Sequence, residues 1–140
     1  MARQRHRRRQ LGGTLVLDAD GVTKAAANDG RVQAFLTVAR NRDARVIVSA
    51  ITLAEVLRGG SRDTEIHRVL NRVTRTPVTP ELARSAGELL GSSGVADATV
   101  DAVVAATAVA EPGSVIVLTS DPKDLRRLTA GHPMIAVHKI

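Results

Sequence analysis

Leu15-Val16-Leu17-Asp18 is a short apolar run closed by a carboxylate, and Val115-Ile116-Val117-Leu118 is another, followed by Thr119-Ser120-Asp121. Runs this short, apolar throughout and bounded by polar turns, read as strands buried on both faces. Between them, Arg31 to Arg40 carries Val32, Phe35, Leu36 and Ala39 at helical spacing, and Val46-Ile47-Val48 reads as a second strand. Thr52 to Arg58 reads as a helix ended by Gly59-Gly60, and Asp63 to Val73 as another with Ile66, Val69, Leu70 and Val73 on one face. Thr79-Pro80 supplies a cap and a first-turn proline for a helix over Glu81 to Leu90. Asp97 to Ala110 is rich in Ala and Val with no polar face beyond its first turn, so burial is expected, and Pro112-Gly113 stops it. Pro122 to Leu128 is a short last helix and Met134 to Val137 an edge strand. Strands alternating with helices predict an α/β fold of three layers, α/β/α, around a central, mostly parallel sheet.

Composition bounds the rest. With 140 residues, 44% of them hydrophobic, one core is expected and two ordinary domains are not. No apolar run approaches the ~20 residues of a membrane span. Leu11 to Leu17 is broken by a glycine pair, and a cytoplasmic protein without membrane contact is expected. The absence of cysteine excludes thiolate metal sites, and four scattered histidines have no ligand spacing, so any metal must be held mainly by oxygen. The net charge of +6 suggests nucleic acid until it is divided along the chain. Arg3, Arg5, Arg7, Arg8 and Arg9 stand in the first ten residues with no acid, leaving a charge of only +1 elsewhere. Residues 1–13 therefore read as a basic, disordered leader and residues 14–140 as the folded domain. One Phe, with no Tyr or Trp, excludes an aromatic base-stacking platform.

In a parallel α/β sheet, the ends of strands and the starts of following helices share one edge, where ligands bind. Asp18 follows the first strand, Glu55 falls in the first turns of the helix after the second, Asp101 in the first turns of the buried helix, and Asp121 just after the third strand. Converging carboxylates repel unless protonated or shared with a cation, and Mg²⁺ or Mn²⁺ suits an oxygen donor set. Each acid also has a plainer role open to it. Thr52-Leu53-Ala54-Glu55 fits a capping box, Asp121 before Pro122 fits a helix cap, and Asp97 or Asp101 could complement a helix dipole. Asp101 is the hardest to explain so, because it interrupts an apolar helix and a buried unpaired carboxylate is costly. Asp97, four residues earlier on the same helical face, is either a supporting acid or an exposed cap.

Four pieces in this order, Leu15-Val-Leu-Asp18, Ser49-Ala-Ile-Thr-Leu-Ala-Glu55-Val-Leu-Arg58-Gly59, Asp101-Ala-Val-Val-Ala-Ala-Thr-Ala108 and Val117-Leu-Thr119-Ser-Asp121-Pro-Lys-Asp124-Leu, resemble a PIN domain of the VapC toxin type, over 14–140. The resemblance implies a Mg²⁺- or Mn²⁺-dependent endoribonuclease acting on structured RNA such as tRNA or rRNA. It implies a VapB-type antitoxin as partner, and a homodimer or a hetero-tetramer or larger assembly with it. It makes Asp18, Glu55, Asp101 and Asp121 the metal-binding and catalytic quartet, with Thr119 lining the site. Ser49, Asp20 and Asp97 are secondary candidates, and Asp20 stands where the family often has Asn, Ser or Gly. Arg58 and Arg62 are candidate phosphate contacts. Two alternatives stand beside this. Asp18-Ala-Asp20-Gly21-Val22 also resembles the nucleophile motif of haloacid-dehalogenase-type phosphatases, with Thr119, Lys123 and Asp124 as its remaining groups. The other is a catalytically silent PIN-like module that binds RNA or protein.

Overall fold

The computed structural model describes residues 12–140, so the basic leader lies outside the described residues except for Gly12 and Gly13. Those two glycines are already packed: a Cβ on Gly12 would stand 2.6 Å from the Arg42 carbonyl oxygen, and Gly13 adopts φ 79° with its carbonyl accepting from the Arg45 amide.

Five strands form one sheet: β1 (Thr14–Leu17), β2 (Arg45–Ser49), β3 (Thr74–Thr76), β4 (Val115–Thr119) and β5 (Ile135–Lys139). Their spatial order is β3-β2-β1-β4-β5, and every pairing is parallel, so the sheet is wholly rather than mostly parallel. The helices are α1 (Ala19–Ala26), α2 (Gly30–Asn41), α3 (Ala50–Val56), α4 (Thr64–Leu70), α5 (Pro80–Ser93), α6 (Thr99–Val109) and α7 (Lys123–Leu128), with a 3₁₀ turn at Ser61–Asp63.

Alternation along β1 divides the core. Val16 joins Ile47, Val115, Val117 and the alanines of α6 on one face, under α5 and α7. Leu15 and Leu17 join Val48, Leu118, Val22, Ala25 and Val32 on the other, under α1, α2 and α4. Three layers result, as expected. Small side chains explain the seat of α6: Ala102, Ala105, Ala106 and Ala108 are at most 2% exposed, so the helix axis lies close to the strands.

Two elements escape the sequence reading. A helix, α1, begins where a polar turn is expected after Asp18; its apolar positions Val22 and Ala25 are too few in eight residues to display a period. The expected helix over Asp63–Val73 ends at Leu70, and the chain continues into β3, whose Thr74-Arg75-Thr76 is polar because this edge strand is largely exposed. Thr79 caps α5 as predicted, its Oγ1 accepting from the Leu82 amide at 3.2 Å.

Candidate metal centre

The strand order reverses at β1, which has β2 on one side and β4 on the other. Such a switch point opens a crevice beyond the strands' C-terminal ends. Asp18 stands there. Its amide donates to the Leu118 carbonyl of β4 at 3.3 Å, and its Oδ1 caps α1 by accepting from the Gly21 amide at 2.9 Å. At the end of β4, the buried Thr119 hydroxyl accepts from the Asp121 amide at 3.1 Å and donates to the Asp121 carbonyl at 3.3 Å, which pins the turn carrying that acid. The Ser120 hydroxyl donates to the Asp20 carboxylate, tying the same turn to the first turn of α1. Asp20 therefore belongs to the rim of the crevice.

Glu55 and Asp101 complete the arrangement from α3 and α6. Burial pushes the Asp18 carboxyl above its ordinary range, against the lowering effect of the Thr119 hydroxyl and the Gly21 amide. Glu55, though exposed at the surface, is pushed up by partial desolvation and then by the charges of Asp18, Asp101 and Asp20, with Arg58 opposing. Asp101 is pushed up by burial and then by Asp124, Asp18, Asp121 and Asp20. All four predicted acids are thus electrostatic neighbours, with Asp20 and Asp124 among them. No described basic side chain pairs with any of them; the ion pairs among the described residues are Arg45–Glu111 and Arg68–Glu65.

The donor set is all oxygen, carboxylates with the Thr119 and Ser120 hydroxyls, and among the described residues its crowded negative charge forms no ion pair, Arg58 acting on Glu55 without pairing with it. Both facts fit a hard divalent cation. No three acids among the described residues stand close enough for a ready-made cage. An ion such as Mg²⁺, which keeps several waters and takes one or two carboxylates directly, does not require one.

Some local expectations are corrected. Thr52 opens no capping box: Ser49 is the cap of α3, its Oγ accepting from the Ile51 amide at 3.3 Å, while Thr52 is buried within the helix. Glu55 accordingly falls in the last turn of α3 rather than the first. Asp121 is not a helix cap, since Pro122 holds that position and makes no side-chain bond. Asp97 does not share a helical face with Asp101; it lies before α6, exposed, with φ 55°. Arg58 folds back so that its guanidinium donates to the Ala54 and Leu57 carbonyls, and Arg62 is exposed in the 3₁₀ turn.

Two acids carry more structure than the sequence suggests. Asp124, in the first turn of α7, adds its charge to that of Asp101 and stands three residues after Asp121, a spacing that could have marked it as a site acid. Asp63, only 5% exposed, accepts from the Arg58 amide at 3.0 Å and the Gly59 amide at 2.7 Å and so closes the loop after α3. Nothing in the sequence distinguishes Asp63 from an ordinary helix-start acid.

A groove of about 790 Å³ lies elsewhere, lined by Leu36, Arg40, Val46, Val69, Arg72 and Thr74 among others. It borders the starting ends of β2 and β3, away from the acids.

The sequence pattern of the PIN domain family matches residues 16–130. No curated protein matches the chain. Among solved structures, the VapBC2 complex of Rickettsia felis bound to a promoter DNA fragment aligns with a TM-score of 0.69 at 19% identity, over 91% of this chain and 98% of that one. A toxin-antitoxin complex from Klebsiella pneumoniae aligns with a TM-score of 0.65 at 18% identity, over 90% and 99%. FitAcB from Neisseria gonorrhoeae aligns with a TM-score of 0.60 at 22% identity, over 89% and 96%. At these identities the likeness is one of fold.

Proposed function

This chain belongs to the PIN domain family, and from that premise we propose that it is a divalent-metal-dependent endoribonuclease, the toxin of a VapBC-type pair, hydrolysing phosphodiester bonds in structured RNA. The observation that carries the reading is the set of carboxylates from β1, α3, α6 and β4 gathered at the switch-point crevice without a basic partner among the described residues.

Asp18, Asp101 and Asp121 would hold Mg²⁺ or Mn²⁺, one or two of them directly and the rest through bound water, with Asp20 and Asp124 adding charge at the rim. The ion, when bound, lowers the pKa of a water and offsets charge developing on the scissile phosphate. Glu55, whose basicity partial desolvation and neighbouring acids increase, accepts the proton of the attacking water. Thr119 fixes the Asp121 turn, so that this carboxylate is placed by the sheet rather than by a free loop. Arg58 and Arg62, on the loop that Asp63 closes, are candidates to meet RNA phosphates, Arg58 by releasing the carbonyls of Ala54 and Leu57.

The named toxin-antitoxin neighbours support an antitoxin of VapB type as partner; a dimeric or larger assembly with it and action in the cytoplasm are part of the same proposal. The phosphatase alternative loses its support. Asp20 is engaged by Ser120, and Lys123 and Asp124 are adjacent on one helix instead of following separate strands.

The test is cleavage of tRNA and rRNA by purified protein with Mg²⁺ or Mn²⁺ and with EDTA. Wild type should cut only with metal, and Asp101→Asn should lose at least about 100-fold. Equal cleavage by Asp101→Asn would sink the assignment. Uncut RNA together with retained RNA binding would favour the silent module.

A further inference from the structure

Thr52 is 0% exposed, and its Oγ1 is the buried side-chain oxygen or nitrogen left without a hydrogen-bond partner among the described residues. A buried hydroxyl without a partner is costly, and native structures rarely tolerate one without a cause such as an internal water or a bound group. Helical threonines usually escape by donating to the carbonyl four residues back. Thr23, Thr107 and Thr129 do so here, to Ala19, Val103 and Leu125, at 2.8–2.9 Å. Thr52 does not follow them. Four residues back is Val48, which lies in β2 opposite Arg75 of β3 and whose carbonyl accepts the Thr76 hydroxyl at 3.4 Å. The start of α3 directly after a strand thus strands this hydroxyl.

Its position gives the isolation a use. Thr52 lies one turn before Glu55, on adjoining sides of the helix. The helix packs against α1, which Asp18 caps, and α6, which carries Asp101. The helix that buries this hydroxyl therefore packs against both of these acid-bearing elements. We infer that Thr52 is a positioning residue of the acidic centre, holding through its hydroxyl one water that hydrogen-bonds onward to the carboxylate of the exposed Glu55. This rests on the nuclease reading for its purpose but not for its test.

Thr52→Val keeps the shape and removes the hydroxyl; Thr52→Ser keeps the hydroxyl. In metal-free protein, Thr52→Val should lower Tm by about 3 °C, and that loss should vanish when Glu55→Ala is already present. Titrated with Mn²⁺ and followed by electron paramagnetic resonance, Thr52→Val should bind about 10-fold more weakly and Thr52→Ser within about twofold of wild type. A Thr52→Val protein that melts at or above the wild-type temperature would overturn the inference, since a hydroxyl with no partner stabilises when removed. So would a loss of equal size with and without Glu55→Ala. Should wild type itself bind no Mn²⁺, the nuclease reading fails, while the melting cycle still decides the role of Thr52.

Discussion

Asp18 has two physical duties that a pair of substitutions can separate. Its Oδ1 caps α1 by accepting from the Gly21 amide, and its charge is held in a buried setting beside Asp20 that pushes its pKa up. Asparagine retains an acceptor suited to a helix cap and removes the charge, whereas alanine removes both. The cap is worth about 1 kcal/mol. Spread over 140 residues at about 2.1 cal/mol/K each, the unfolding entropy makes that about 3 °C in Tm. In EDTA at pH 7, Asp18→Asn should therefore melt above wild type and about 3 °C above Asp18→Ala.

The sign follows from linkage. A raised carboxyl pKa means that the fold favours the protonated form, so its stabilising contribution is complete below the unfolded value of about 3.9. It is lost as pH rises through the folded value. The advantage of Asp18→Asn should thus be small in acid and grow to a plateau by neutrality. Melting by circular dichroism across that range checks both parts. If Asp18→Asn instead melts below wild type at pH 7 without metal, the picture of a carboxylate destabilised until an ion arrives is refuted.

Protons should compete with the cation in a characteristic way: because Asp18, Glu55 and Asp101 are all pushed up, Mn²⁺ affinity should begin to fall on acidification while ordinary carboxylates are still ionised, as calorimetric titration at several pH values would reveal. Asp63→Ala should cost about 2 kcal/mol, because the Arg58 and Gly59 amides lose their buried acceptor. It should also speed proteolytic nicking after α3, and a melting temperature unchanged from wild type would contradict the loop-closing role.

The sheet was legible where burial is complete. Leu15-Val16-Leu17, Ile47-Val48 and Val115 to Leu118 are apolar because both faces are covered, and such runs announce themselves. β3 is not, since an edge strand needs only backbone pairing, and Thr74-Arg75-Thr76 pairs with Ile47, Val48 and Ser49 without an apolar pattern. The acids were legible by position because the topology sends every strand end to one rim. Their local roles were not. Moving the start of α3 back from Thr52 to the Ser49 cap turned Glu55 from a first-turn residue into a last-turn one and left Thr52 in the interior. Asp97 failed for a similar reason: its left-handed backbone stops the helix pattern from extending back to it.

The place of β1 between β2 and β4 has a consequence for the life of the chain on the ribosome. Asp18, Asp20 and Glu55 are made early, while Asp101, Asp121 and Asp124 come from the last third of the sequence, and Thr14 of β1 pairs with Val115 across that whole interval. Contacts so distant in sequence close only after the intervening chain has been synthesised. A truncated or nascent product ending before β4 lacks Asp121 and Asp124 and has no crevice between β1 and β4. Whatever chemistry this centre performs is thereby withheld through most of the chain's synthesis, because the acidic rim is among the last things the fold assembles.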